Sequence, residues 1–412
     1  MTPAGPRRAA VIFIFITVVL DVLALGIIIP VLPMLVEDFL GGDTARAATV
    51  YGVFGTVWAM MQFVFAPILG ALSDRWGRRP VILLSCLGLG LDYILMALAP
   101  TLAWLFVGRI LSGVTSASFS TAGAYIADVT PVEKRAAGFG IIGAAFGLGF
   151  VLGPAVGGLL GASDPRLPFW VAAGLALVNA AYGYFVLPES LPPERRKPFT
   201  WGRVNPLGSL RLLRSHRELF GIATVTVFYH LAHHVLPSVF VLYGSYRYGW
   251  DARATGLTLA GVGVTSIIVQ GGLVRPLVAR FGERRMLLTG LAFGTVGYVI
   301  YAMAETGAGF WLGIPIFGLM GLYGPSAQGL MTRHVTASEQ GQLQGINSSF
   351  MGMTGIFAPA LFTFTFAEFI GPHAGWHLPG APFLLAAGLL ALAWVIAWRV
   401  TRVRAAAGAG LK

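Results

Sequence analysis

Twelve long apolar runs, separated by short stretches rich in Gly, Pro and charge, constrain this chain more than any other feature. They cover about residues 10–36, 48–72, 80–99, 101–127, 134–160, 167–187, 217–244, 254–279, 286–304, 308–332, 340–368 and 379–400, and we number them span 1 to span 12. A membrane-crossing helix needs roughly 20 apolar residues, and a lipid-facing backbone leaves only helices or a closed barrel. Each run is long enough to cross. Only 11% of the 412 residues are Asp, Glu, Lys or Arg, against ~25% in soluble domains, so there is no polar surface for a water-soluble enzyme. The chain reads as an all-α membrane protein and not as an enzyme. Its one cysteine, Cys86, lies inside an apolar run; it excludes an intrachain disulfide and reads as a small core residue. Arg7 and Arg8 precede an apolar run too long for a secretory signal, so span 1 is expected to be retained.

The net charge of +11 would suggest nucleic acid if it lay on a soluble surface. Its distribution gives a different reading. Of the 28 Lys and Arg, Arg46, Arg166, Arg247 and Arg253 fall in the odd-numbered connections and Arg109 falls inside span 4; the remaining 23 lie at the termini and in the even-numbered connections. Lys and Arg are retained on the cytoplasmic side, so both termini are expected in the cytoplasm, with the chain in an inner (plasma) membrane. No nucleic-acid partner is expected; the partners are membrane lipid and a small-molecule substrate.

The two halves are copies of one another. LSDRWGRRPVIL at Leu72–Leu83 aligns with LVARFGERRMLL at Leu277–Leu288, and the same offset of 205 pairs Gly108 with Gly313, Gly113 with Gly318, Gly140 with Gly345 and Pro154 with Pro359. Six helices followed by six parallel helices are expected: a bundle over 1–187, a polar linker over 188–216 and a second bundle over 217–412. This duplication resembles the architecture of the major facilitator transporters, whose substrate site lies near the midplane at the repeat interface.

A charged side chain at a span centre costs about 2.5–3.5 kcal/mol on insertion scales, so it faces a cavity or a partner. Asp21 in span 1, Asp92 in span 3 and Arg109 in span 4 are such residues, all in the first half. A shielded carboxyl can bind and release a proton in a transport cycle, which makes these three the candidates for proton coupling; permanent pairing for packing is the alternative for the acids. Tyr93, beside Asp92, is placed with the substrate-binding residues. So are Gln62 in span 2, Gln270 in span 8 and Gln328 in span 10, any of which could instead bond a neighbouring helix. In span 7, His230, His233 and His234 stand close together, and His230 and His234 share a helical face. They line a pocket, respond to protons or serve as structural hydrogen-bonding groups; no metal site and no cofactor are expected. Span 5 carries Gly149, Gly153, Gly157 and Gly161 on one face with Pro154, a pattern for close and deformable helix contact with the other half. The loop GALSDRWGRR, residues 70–79, sets Asp74 among guanidiniums and is either a topology anchor or a gate latch.

These residues resemble the twelve-helix drug/proton antiporters of the major facilitator superfamily, and most of all the tetracycline efflux proteins. GALSDRWGRRPV is similar to the signature between spans 2 and 3, LFVGRILSG to that of span 4 and GFVLGPAVGG to the antiporter signature of span 5. Asp21 in LDVLALGIIIPVLP, Asp92 in LDYILMALAP and QGQLQG at 340–345 extend the likeness over nearly the whole chain. The resemblance implies gating by Asp74, Arg75, Gly77, Arg79 and Asp128, with Gly153, Pro154, Gly157 and Gly158 as the antiporter bend. It implies that Asp21 and Asp92 are essential acids and that Arg109 takes part in proton coupling. It further implies a drug chelated to a divalent cation such as magnesium, exported in exchange for a proton by a protein expected to act as a monomer. Two positions depart from the family: Ser266 stands where a span 8 His is usual, and Gly294 where a span 9 Asp is usual. An exporter of amphipathic drugs is therefore the expected function, with transport of an endogenous metabolite as the alternative.

Overall fold

The computed structural model describes residues 5–116, 118–130, 135–201, 204–205, 208, 212–215, 217–336 and 339–409. Every regular element among them is a helix. Eleven are long and apolar enough to cross a bilayer, from Val11–Phe39 to Ala381–Arg402, and span 4 is the shorter apolar helix Leu102–Thr115 followed by Ser118–Val129.

Local chemistry sets the ends. The Asp43 carboxylate accepts from the Arg46 amide at 3.0 Å, Asp251 from Ala254 at 2.8 Å and the Thr306 hydroxyl from Gly309 at 3.1 Å. Each caps free N–H groups at the start of spans 2, 8 and 10. A single residue, Gly77, separates Thr44–Trp76 from Arg78–Leu98 with φ 107°, and its repeat partner Gly282 separates Val274–Phe281 from Glu283–Met303 with φ 80°. Only glycine takes such angles without strain.

Several spans that read as continuous in the sequence are interrupted, and the interruptions obey the repeat. Span 1 stops at Ile28 and restarts at Leu32; span 7 stops at His233 and restarts at Val235, and Ile29 plus 205 is His234. Span 4 stops at Thr115 and restarts at Ser118; span 10 tightens into a 3-10 turn at Leu319–Leu322, and Ser116 plus 205 is Gly321. Proline supplies the cause in three of the four, because it lacks an N–H and its ring crowds the carbonyl four residues earlier. Pro30 crowds Gly26, Pro237 crowds His233 and Pro325 crowds Gly321. The backbone recovers its bonds locally: the Ile29 amide donates to the Gly26 carbonyl at 3.2 Å, and the His234 amide is shared between the carbonyls of His230 and Leu231, both at 3.3 Å. Span 8 holds a π-helical turn at Val269–Leu273.

The chain forms two compact units. The first comprises Met1–Gly42, Val57–Pro206 and Trp250–Ala260, and the second Asp43–Thr56, Leu207–Gly249 and Gly261–Lys412. The opening residues of spans 2 and 8 are thus exchanged between the repeats.

In the first unit the glycine face of span 5 packs mainly on span 1, its neighbour within the same repeat, and the contact with the other half that the sequence suggested is made at the start of span 8. Gly149 meets Val22, Gly153 meets Gly26, Gly157 meets the Ile27 carbonyl and Gly161 meets Val31. A Cβ on Gly153 would lie 2.6 Å from the Gly26 Cα. Gly158, on another side of the helix, meets Ala252 and Gly256 at the start of span 8. Pro154 is carried inside an unbroken helix, Arg135–Gly161. The second unit is knit instead by buried rings: Tyr301 stacks on Phe310 at 4.0 Å, while the hydroxyls of Tyr243 and Tyr298 donate to the carbonyls of Tyr301 at 2.9 Å and Ala232 at 3.1 Å. Such rings bring large apolar area and a polar end that needs a partner.

Overpacking a close contact costs about 1–3 kcal/mol. Gly153→Ala is expected to lower the unfolding temperature of the purified protein by several degrees. Gly174→Ala, at a helical glycine with open space around it, is expected to leave it unchanged or raise it slightly; thermal unfolding in detergent checks both.

Candidate functional site

In the first unit, two buried acids stand in different surroundings. Asp21 is enclosed where spans 1, 3 and 6 meet. The Asn179 amide of span 6 donates at 2.9 Å both to Asp21 Oδ1 and to the Thr17 carbonyl, and the Cys86 thiol of span 3 lies 3.6 Å from Oδ1 and 3.9 Å from Oδ2. Cys86 and Asn179 are wholly buried, among Val18, Val22, Ile82, Tyr125 and Ile126. The residue expected to be a plain core cysteine is therefore also a neighbour of the acid.

Asp92 is equally buried, and neither of its oxygens has a hydrogen-bond partner among the described residues. The charge that acts on it is Arg109 of span 4, which is itself buried and lies over the Trp58 ring at 5.2 Å. A Cβ on Gly108 would come within 3.0 Å of Asp92 Oδ1 and 2.6 Å of Met96 Cγ, so glycine there lets span 4 close on the acid. Tyr93, buried in the same packing, lies within the fields of Asp92, Asp21 and Arg109. Gln62 is half-buried on Thr44–Trp76.

A second cluster surrounds Arg78 at the ends of spans 2, 3, 4 and 6. Its Nη1 lies 2.6 Å from both Asp74 Oδ1 and Ser73 Oγ, and its Nε lies 3.0 Å from Asp128 Oδ2. Glu189, just past span 6, closes the cluster. Its carboxylate accepts from the backbone amides of Arg78 at 2.9 Å, Arg79 at 3.3 Å and Leu191 at 2.9 Å. A carboxylate at a helix N-terminus satisfies free donors and meets the positive end of the dipole. Ser190 Oγ donates to Asp128 at 3.2 Å, the Tyr125 hydroxyl to the Pro188 carbonyl at 2.9 Å and the Lys197 amide to the Asp74 carbonyl at 3.0 Å. Arg79 bonds the Tyr184 carbonyl, and Arg75 is exposed. A Cβ on Gly77 would overlap the Glu189 carboxylate, a second reason for glycine there.

The repeat preserves one pair of this cluster with its charges exchanged. Adding 205 turns Arg78 into Glu283 and Asp128 into Arg333, and those two pair at 2.9 Å in the second unit.

Also in the second unit, His230 and His234 are half-buried beside the interruption of span 7, and His234 is bonded to the Met351 backbone. Gln328 accepts from Asn347 Nδ2 of span 11 at 2.8 Å. Gln270 lies exposed on the π turn, with its Cγ 3.4 Å from where a Gly321 Cβ would be. Gly294 is filled in from outside: a Cβ there would lie 2.8 Å from both Leu390 Cδ1 and Met320 Sδ, so no acid fits without rearrangement.

Comparison with known proteins matches the chain to the Major Facilitator Superfamily over residues 14–359 and again over 273–410. The chain belongs to the major facilitator superfamily. It is a multi-pass membrane transporter and not an enzyme. This major facilitator protein is 41% identical to the class C tetracycline resistance protein of Escherichia coli, over 91% of its own length and 95% of that protein. It is 37% identical to the class G protein of Vibrio anguillarum over 90% and 93%, and 28% identical to human Hippocampus abundant transcript-like protein 1 over 98% and 83%. In fold it is similar to the nucleoside transporter NupG, with a TM-score of 0.77 at 13% identity over 95% of this chain and 99% of that one. It is likewise similar to the human organic anion transporter MFSD10, with a TM-score of 0.70 at 24% identity over 95% and 100%.

Sequence reasoning passed over Arg78, Glu189 and Asn179. Arg78 stands in a run of arginines, where spacing alone does not tell which one is buried. Glu189 lies in a polar segment more than a hundred residues from the helix it caps, and Asn179 is one amide in an apolar run. The intramembrane location of Asn179 was the one available signal. Removing one partner of a partly buried charge network costs more than removing an exposed charge. Arg78→Gln is expected to cut transport at least tenfold and lower the unfolding temperature, whereas Arg75→Gln changes either by less than twofold or two degrees. Glu189→Ala, through loss of a cap worth about 1 kcal/mol, is expected to fall between them in vesicle transport and melting measurements.

Proposed function

We propose that the chain is a proton-coupled exporter of amphipathic drugs of the tetracycline type, working by alternating access between its two repeats. The observation that carries the proton assignment is Asp92, a buried carboxyl with no hydrogen-bond donor on either oxygen among the described residues and the Arg109 guanidinium acting on it. Ionised, such a group is held in an apolar interior by the opposite charge; protonated, it needs no counter-charge. Proton binding at an Asp92 oxygen therefore releases Arg109 from its electrostatic partner, and proton loss restores the attraction. A change of charge at one point is thereby turned into a force between spans 3 and 4.

Asp21 has a different part. Asn179 and Cys86 supply donors to its oxygens, so its anion is solvated by the protein, and it serves as a fixed charge that orients the site. One proton moving down 100 mV yields about 2.3 kcal/mol, roughly a fiftyfold substrate gradient.

The substrate reading draws on the tetracycline resistance proteins to which the chain is 41% and 37% identical over most of its length. Magnesium enters only as part of a chelated drug. The orientation is that given by the basic residues, with both termini in the cytoplasm, and the working unit is one chain. A second reading, transport of an endogenous metabolite, is favoured by Ser266 and by the filled space at Gly294, where the resemblance implies a His and an acid.

Inverted membrane vesicles carrying a pH dye separate these readings. Tetracycline with magnesium is expected to discharge the proton gradient in wild type, and Asp92→Asn is expected to slow the discharge about a hundredfold. Asp21→Asn is expected to abolish net export as well. Discharge by other amphipathic compounds or a metabolite, but not by tetracycline, would overturn the substrate and keep the exchange. Gradient-independent transport would overturn the proton coupling.

A further inference from the structure

Three near-parallel aromatic rings come together where span 7 is interrupted. Tyr323, at the end of the 3-10 turn in span 10, stacks on Tyr229 with ring centroids 3.9 Å apart and an interplanar angle of 21°. Tyr229 is parallel in turn to His233, one helical turn further on, at 5.7 Å and 9°. The column runs from the inside outwards: Tyr323 is 2% exposed, Tyr229 is half-buried and His233 is exposed. His233 is thus the residue of the three that is left open, at the interruption of span 7.

The surroundings hold the column still. The Tyr323 hydroxyl is 3.0 Å from the Thr226 hydroxyl, which donates to the Ile222 carbonyl at 2.9 Å. His230 meets Tyr229 edge-on at 5.5 Å and 72°, and His234 is bonded to the Met351 backbone. Two of the three histidines are thus engaged in the protein itself. His233 is the last residue of Arg217–His233, and its carbonyl is the one that Pro237 crowds. The interruption of span 7 therefore begins at the residue whose ring is presented.

We propose that the His233 imidazole is the open end of a stacking platform, backed by Tyr229 and Tyr323, that takes the flat conjugated ring system of a transported molecule. Offset-parallel stacking extends such a column by one more plane at little entropic cost, because the rings below are already fixed. The platform selects planarity and conjugation over hydrogen-bonding pattern, so it suits amphipathic molecules built on fused rings. The proposal rests on the transporter reading, and it stands whether or not a proton is exchanged.

The test is equilibrium binding to the purified full-length protein in detergent with no gradient, using two flat probes, ethidium and tetracycline with magnesium, read by fluorescence anisotropy. His233→Gln keeps polarity and loses the ring; His233→Phe keeps the plane and loses the nitrogens. Stacking worth about 1.4 kcal/mol is tenfold in affinity. His233→Gln is expected to weaken both probes about tenfold, and His233→Phe to stay within about twofold of wild type. Replacement of Gly174 by Ala serves as a control for handling. Unchanged binding in His233→Gln, an equal loss in His233→Phe, or no binding of either probe to wild type would each overturn the platform. Failure of proton exchange in vesicles with the binding pattern intact would overturn only the coupling.

Discussion

A backbone N–H or C=O inside hydrocarbon has no water to turn to, and the rest of this structure depends on how the chain meets that demand. Continuous helix is the simple solution, and most of the spans adopt it. Where helix is broken, the lost bonds are recovered within a turn: Ile29 reaches back to Gly26, and His234 divides its bond between His230 and Leu231. The breaks in spans 1, 4, 7 and 10 stand at equivalent places in the two repeats, which ties them to the ancestral six-helix unit. They also supply what an unbroken helix cannot, an interruption that leaves a side chain such as His233 exposed at the end of a helical segment.

The same low-dielectric setting gives the charges their roles. Asp21 and Asp92 differ little in burial and strongly in company: one carboxylate is bonded by an amide and approached by a thiol, the other has a guanidinium in its field and, among the described residues, no donor on either oxygen. Two identical side chains thereby meet different surroundings, one bonded by its neighbours and one facing an opposite charge. At the ends of the spans, Arg78 holds Asp74 and Asp128 together while Glu189 caps the helix that Arg78 begins. The second repeat keeps the pair and reverses its sign, with Glu283 opposite Arg333. What duplication conserved there is the attraction, and neither partner's identity was needed for it.

Much of the molecule was legible from the residues alone. The apolar runs gave the spans, the offset of 205 gave the two repeats, and the rarity of charge inside the runs picked out Asp21, Asp92 and Arg109. The glycine face of span 5 was visible as a close-contact surface, but its neighbour was not: spacing says that a face is small, and only packing says that Gly153 meets Gly26 of span 1. Likewise the four-residue spacing of His230 and His234 suggested a shared helical face, whereas Pro237 interrupts the helix between them and leaves His233 as the accessible ring.

The sequence by itself determined that this chain must live in a membrane, as two repeats of six helices, with its ionisable centre in the first. Those properties follow from hydropathy and repetition, which are additive along a chain and need no knowledge of contacts. Tertiary structure alone decided that Asn179 and Cys86 attend Asp21, that Glu189 caps a helix begun a hundred residues earlier, and that Tyr323, Tyr229 and His233 form one column. Each of these joins side chains from different helices or across a broken one, and hydrogen bonds and ring stacking act over a few ångströms of space whatever the distance along the chain.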